Sequence, residues 1–146
     1  MLAELPTLAP AAAACMPAAG AFPIHVDCLV RHFRRALLAG DAKRERGHVL
    51  FTDSERRYLG STALGTGGRA SMVLCPRAIL EAGFALGARG MILAHNHPSG
   101  ECRPSRADHD ATERLAWLGR MVDLALLDHL IITPSAVYSM RAGGLI

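Results

Sequence analysis

Apolar and polar positions along this chain recur with two periods, and each period marks a different kind of element. From Val26 the apolar residues Val26, Leu29, Val30, Phe33 and Leu37 fall on one helical face, and Gly40 offers a stop. Arg31, His32, Arg34 and Arg35 lie elsewhere around that helix. Such a basic face could meet phosphates, but in most helices it is simply solvated. Residues 41–46 read as a charged connector, 47–52 as a first strand, 53–56 as a turn and 57–64 as the returning strand. Gly65-Thr66-Gly67-Gly68 reads as a turn, since it lacks the spacing and the Lys-Ser/Thr of a phosphate loop. Residues 70–74 read as a short strand. Pro76 suits the first position of a helix that runs through Ile79, Leu80, Phe84 and Leu86. The apolar run Met91-Ile92-Leu93-Ala94, after Gly90, reads as a buried strand. A helix starting near Ser105 carries Leu115, Leu118 and Met121 at core spacing, with Trp117 beside them. Residues 124–127, 128–133 and 136–140 read as closing strands. The order predicts a single three-layer α/β domain, a mixed sheet flanked by helices.

Composition narrows this only slightly. With 146 residues, 51% of them hydrophobic, the chain has enough apolar material for one core. A net charge of +3 is compatible with nucleic acid without singling it out. Cys15, Cys28, Cys75 and Cys102 form no CxxC pair, which predicts a reduced, cytoplasmic protein. No apolar run reaches the ~20 residues that cross a bilayer, so no membrane partner is expected. Residues 1–22 stand apart: they are rich in Ala and Pro, and Glu4 is their only charge. A secretory signal needs a basic start, whereas the first Lys or Arg here is Arg31, so a disordered tail is expected before a domain over 23–146.

The chemistry concentrates after the buried strand, in His95-Asn96-His97-Pro98-Ser99-Gly100 and its continuation to Asp108. Strand residues two apart face the same way, so both imidazoles can aim at one spot. Pro98-Ser99-Gly100 turns the chain, and Asp108 falls in the first turn of the next helix. Two imidazoles and a carboxylate on rigid elements suit Zn²⁺ with a position left for water. The plainer alternatives are a strand that ends in two polar residues, and a Ser105-Arg106-Ala107-Asp108 capping box. Capping and ligation compete for the same carboxylate. Cys102 lies close by and offers a thiolate.

The spacing of His95, His97, Ser105 and Asp108 resembles the JAMM (MPN+) metalloprotease signature, and the run His95–Gly100, Pro104-Ser105, Asp108, Thr112 resembles its RadC branch. Val49-Leu50-Phe51 with Asp53, Pro76-Arg77 and Leu127-Asp128-His129-Leu130-Ile131 extend the likeness over residues 25–146. The resemblance implies a JAB/MPN fold, similar in outline to cytidine deaminases, although the H-x-E and P-C-x-x-C of deaminases are missing. It implies His95, His97 and Asp108 as zinc ligands, with Cys102 a bystander. Counting back from Asp53, it implies Glu45 as general base, against a plain solvated reading of Lys43-Arg44-Glu45-Arg46. It implies Ser105 as the oxyanion donor. The activity implied is hydrolysis of a peptide or isopeptide amide. Glu101-Cys102-Arg103 replaces the Asp and small or Pro residues common in RadC proteins. The helix-hairpin-helix region of longer RadC proteins has no counterpart in this sequence. The alternative is a non-catalytic, metal-containing module associated with nucleic acid or DNA repair. The pattern leaves the oligomeric state open.

Overall fold

A computed structural model describes residues 24–40, 43–66 and 74–146. The tail expected over 1–22 and most of the strand expected over 70–74 lie outside the described residues, and Leu74 is not in a strand. The elements are α1 (Val26–Leu38), β1 (Arg46–Thr52), β2 (Tyr58–Thr66), α2 (Pro76–Ala85), β3 (Gly90–Asn96), α3 (Arg106–Met121), β4 (Ala125–Ile132) and β5 (Val137–Ser139). They form the α/β arrangement expected, with a mixed five-stranded sheet in the order β2-β1-β3-β4-β5. β1 is antiparallel to both β2 and β3, while β3 and β4 are parallel and joined through α3. A parallel pair needs a crossover of this kind.

Alternation along the strands sorts the core into two layers. Leu50, Ile92, Ala94, Leu130 and Ile132 pack with Leu29, Val30, Phe33 and Leu37 of α1. Val49, Phe51, Met91 and Leu93 pack on the other side with Ile79 of α2 and Leu115 and Ala116 of α3. β3 is buried along its whole length and lies at the centre. Its histidine end therefore inherits the same alternation: odd positions face α2 and α3, even positions face α1.

Several boundaries differ from the pattern reading. β1 begins at Arg46, and β2 runs through Gly65 and Thr66, which continue the pairing with β1 instead of turning. The strands expected over 124–127 and 128–133 form one, β4 (Ala125–Ile132). Val26 is 58% exposed, because it starts α1 beyond the sheet. The inner stripe of α3 is Asp108, Thr112, Leu115, Ala116 and Gly119, so Leu118 sits at its margin while Met121 and Trp117 are exposed. The reason is close approach. A Cβ on Gly119 would lie 2.2 Å from the Leu124 carbonyl oxygen, so the end of α3 comes near the returning chain through its smallest residues.

His48 sits on the α1 side of β1, its ring centroid 5.3 Å from that of His32 and 6.1 Å from that of Phe33. Burial, then the neighbouring His32, push the His48 pKa down to about 4. The unfolded chain takes up that proton near 6.5, so the folded state loses stability as pH falls from there toward 4. His48→Gln is expected to flatten the dependence of Tm on pH across that window, and an unchanged slope would assign the acid lability to other groups.

Candidate metal centre

The site forms where the ends of three elements meet. β3 delivers His95 from its last turn of pleat, and His97 follows directly. The turn after them closes with Gly100 N–H donating to the His97 carbonyl. α3 delivers Asp108 from its first turn, held by a complete capping box: Ser105 N–H donates to Asp108 Oδ2 at 2.7 Å, and Asp108 N–H donates to Ser105 Oγ at 3.1 Å. The carboxylate nevertheless reaches both rings. Oδ1 lies 3.1 Å from His95 Nε2, and Oδ2 lies 3.3 Å from His97 Nε2. Capping and facing the histidines therefore do not exclude each other, because Oδ1 makes no capping bond.

The outer hydrogen bonds set which nitrogen of each ring faces inward. His97 Nδ1 lies 2.8 Å from the Glu101 carbonyl oxygen. A carbonyl only accepts, so Nδ1 carries the proton and neutral His97 turns a bare Nε2 toward Asp108. His95 is set by a longer relay. The Thr112 hydroxyl lies 2.5 Å from the Asp108 carbonyl, to which it donates, and 2.6 Å from His129 Nδ1, from which it then accepts. His129 Nε2 is thereby left to accept from His95 Nδ1 at 2.7 Å. His95, like His97, then presents an unprotonated Nε2. The two Nε2 atoms are 2.9 Å apart. His129 is fully buried, and burial, then the adjacent His95, hold its pKa well below the usual histidine value, consistent with a neutral link in this relay.

Three acceptors thus converge on one point, an arrangement that calls for a positive charge. A proton is one way to supply it. Burial alone would lower the His97 pKa, but the hydrogen bond to Asp108, the Glu101 carbonyl and the charges of Asp108 and Glu45 outweigh burial and raise it. The hydrogen bonds from His95 and His97 likewise outweigh burial at Asp108 and hold its carboxyl well below the usual range. A metal ion is the other way. Donors at about 2.0–2.1 Å from a tetrahedral ion lie roughly 3.3 Å apart, close to the separations here. His95, His97 and Asp108 form the group among the described residues that could hold one.

Glu45 is buried, 6% exposed, immediately before β1, and not solvated as its charged neighbours suggest. Its charge acts on His97, yet it lies outside the group of potential ligands. Ser105 is exposed at the N-terminus of α3 and uses its oxygen to accept from Asp108. The Cys102 sulfur turns elsewhere, toward the Ile131 carbonyl and the Thr133 hydroxyl. The relay residues His129 and Thr112, and Asn96, were given no site role by the pattern reading. The signals available in the sequence are a histidine inside the apolar run of β4 and the place of all three residues in the segments that resemble RadC proteins.

The RadC-like JAB domain family matches residues 27–145. A UPF0758 protein of Flavobacterium johnsoniae is 37% identical over 108 residues, covering 74% of this chain and 47% of its own length. The UPF0758 protein YkfG of Escherichia coli K12 is 36% identical over 117 residues, covering 80% of this chain and 73% of its own. One from Acidovorax sp. JS42 is 38% identical over 117 residues, again 80% of this chain but 49% of its own. The chain spans about half the length of most of these relatives. No helix among the described residues is long and apolar enough to cross a membrane. The match over residues 27–145, together with these relatives, places the chain in the RadC-like JAB domain family.

Proposed function

We propose that the protein is a zinc-dependent hydrolase of peptide or isopeptide amide bonds. The observation that carries this reading is the convergence of two imidazole Nε2 atoms on a carboxylate. His95, His97 and Asp108 would hold the ion. Bound there, zinc lowers the pKa of a water toward 7 and polarises a carbonyl.

The chain's own residues supply the rest. Glu45 takes the proton of the attacking water and passes it to the leaving nitrogen. Ser105 still has its hydroxyl hydrogen, since its oxygen accepts from Asp108, and that hydrogen is available to the developing oxyanion. His129 and Thr112 keep His95 in one tautomer and one orientation. A nucleic-acid-associated module that holds metal without turnover is the competing outcome of the tests below.

Elemental analysis of the purified protein should find about one zinc per chain, with the His95→Ala/His97→Ala variant nearly free of it. Equal zinc in both would remove the site. Asp108→Asn separates capping from ligation. The amide oxygen can still accept from Ser105, so the fold should lose at most about 1 kcal/mol, while zinc affinity should drop sharply. Retained affinity would leave Asp108 a cap only.

Glu45→Gln should keep both zinc and fold and lose roughly 10²–10⁴-fold in turnover of any amide the parent cleaves. Glu55, exposed and paired with Arg57, is the control, and Glu55→Gln should be nearly silent. Parent-like turnover by Glu45→Gln would assign the base elsewhere. Absence of turnover by zinc-loaded parent across peptide and isopeptide libraries, together with salt-sensitive DNA binding, would favour the binding module.

A further inference from the structure

Asn96 lies between the two histidines in sequence but faces the opposite side of the sheet, toward α1. It is 1% exposed, so its carboxamide must be paired within the protein. Both of its partners are backbone atoms at the start of β1, on its first residue, Arg46, and on Arg44 just ahead of it. Oδ1 accepts from Arg46 N–H at 2.7 Å, and Nδ2 donates to the Arg44 carbonyl at 3.0 Å. The assignment is unambiguous, since a flipped amide would set donor against donor and acceptor against acceptor.

The residue between these two bonds is Glu45. The β1–β3 pairing runs as far as Gly47 opposite His95. Beyond that point a side chain replaces the strand ladder and carries the attachment back to residue 44. Between Arg46 and His48 the pairing of β1 with β2 also slips its register. Bulges locally weaken a ladder, so the clamp acts where the sheet itself grips least. Arg46 adds a tie to α1, its guanidinium donating to the Ala39 carbonyl at 2.8 Å.

We propose that Asn96 is a positioning residue: its carboxamide bridges the peptide groups on either side of Glu45 and fixes the approach of that carboxylate to the His95–His97–Asp108 cluster. The inference rests on the reading of Glu45 as the base. It couples base and metal ligands through one strand, because the residue that orients Glu45 sits between two of those ligands. Asn96 touches no reacting atom; it acts through residues 44–46.

Two measurements test this. In the metal-free protein, Asn96→Ala should speed hydrogen exchange of the Arg46 amide by about ten-fold, the loss of one hydrogen bond, with the Leu93 and Ile131 amides unchanged. In the zinc-loaded protein, acetohydroxamate serves as the probe, since its acidic proton is taken up by a carboxylate placed beside the ion. Asn96→Ala and Glu45→Gln should each retain zinc and weaken acetohydroxamate binding by about ten-fold, and the double variant should bind no more weakly than Glu45→Gln alone. A merely structural Asn96 would give parent-like affinity at full zinc content, or losses that multiply; either result overturns the proposal. Asn96→Asp, of the same shape, replaces Asn96→Ala if the latter fails to fold. It should also weaken the probe, because an oxygen then faces the Arg44 carbonyl. If the parent takes up no zinc, the hydrolase reading fails by itself, and the exchange measurement decides the clamp: an unchanged Arg46 amide overturns it.

Discussion

A strand buried along its whole length that nevertheless ends in polar side chains sets the terms for everything around it. β3 ends in His95 and Asn96, with His97 next, and the first two are almost fully enclosed. Buried polar groups left unpaired cost about 1–3 kcal/mol each, so each of these side chains must find a partner. His95 finds His129 on β4 and, through it, Thr112 on α3. His97 finds the Glu101 carbonyl in the turn that follows. Asn96 finds the first residue of β1 and the segment just ahead of it. The pairing demands of three consecutive residues thus tie together two strands, a helix and a loop at one end of the sheet.

The pleat divides those ties between two faces. His95 belongs with the layer that includes α3, where Asp108 waits at the helix start, and Asn96 belongs with the layer that includes α1. A slip of one residue in the β1–β3 register would exchange these faces. The histidine would then point at α1 and the carboxamide at Asp108. The apolar alternation of Met91, Ile92, Leu93 and Ala94, each buried against a different layer from its neighbour, is what prevents the slip. Core packing in the middle of β3 therefore decides the chemistry at its end.

How much of this was legible in the sequence depended on whether the signal was local. The histidine pair and the Ser105–Asp108 box are short-range patterns, and both formed, although β3 ends at Asn96 and His97 lies just past it. Helix and strand order was likewise readable from periodicity. The inner face of α3 was misjudged at Met121 because small and polar residues, Gly119, Ala116, Thr112 and Asp108, fill it where apolar ones were expected. Glu45 looks solvated within a run of charges, and only sheet pairing brings it under cover. Asn96 and Thr112 stand in the run that resembles RadC proteins, but nothing local gives their partners, which lie 50 residues and 17 residues away in sequence. A spacing rule cannot express a contact of that kind. Nor could it foresee that Asp108 would divide its work so that Oδ2 both caps α3 and faces His97 while Oδ1 faces His95 alone.

The division at Asp108 is also the source of the site's charge preference. The capping box fixes the carboxylate at the N-terminus of α3, where the helix dipole favours a negative charge. Glu101 and the His129 relay fix both rings with lone pairs inward. None of these constraints can relax without breaking a bond elsewhere: turning Asp108 breaks its half of the capping box, and turning His95 leaves buried His129 Nε2 without its partner. The fold consequently holds three acceptors together against their mutual repulsion. A proton on His97 relieves that repulsion for one pair of atoms only, because it lies on a single line between them. A cation seated among all three would relieve it for every pair at once, and the group is one that could hold a metal ion.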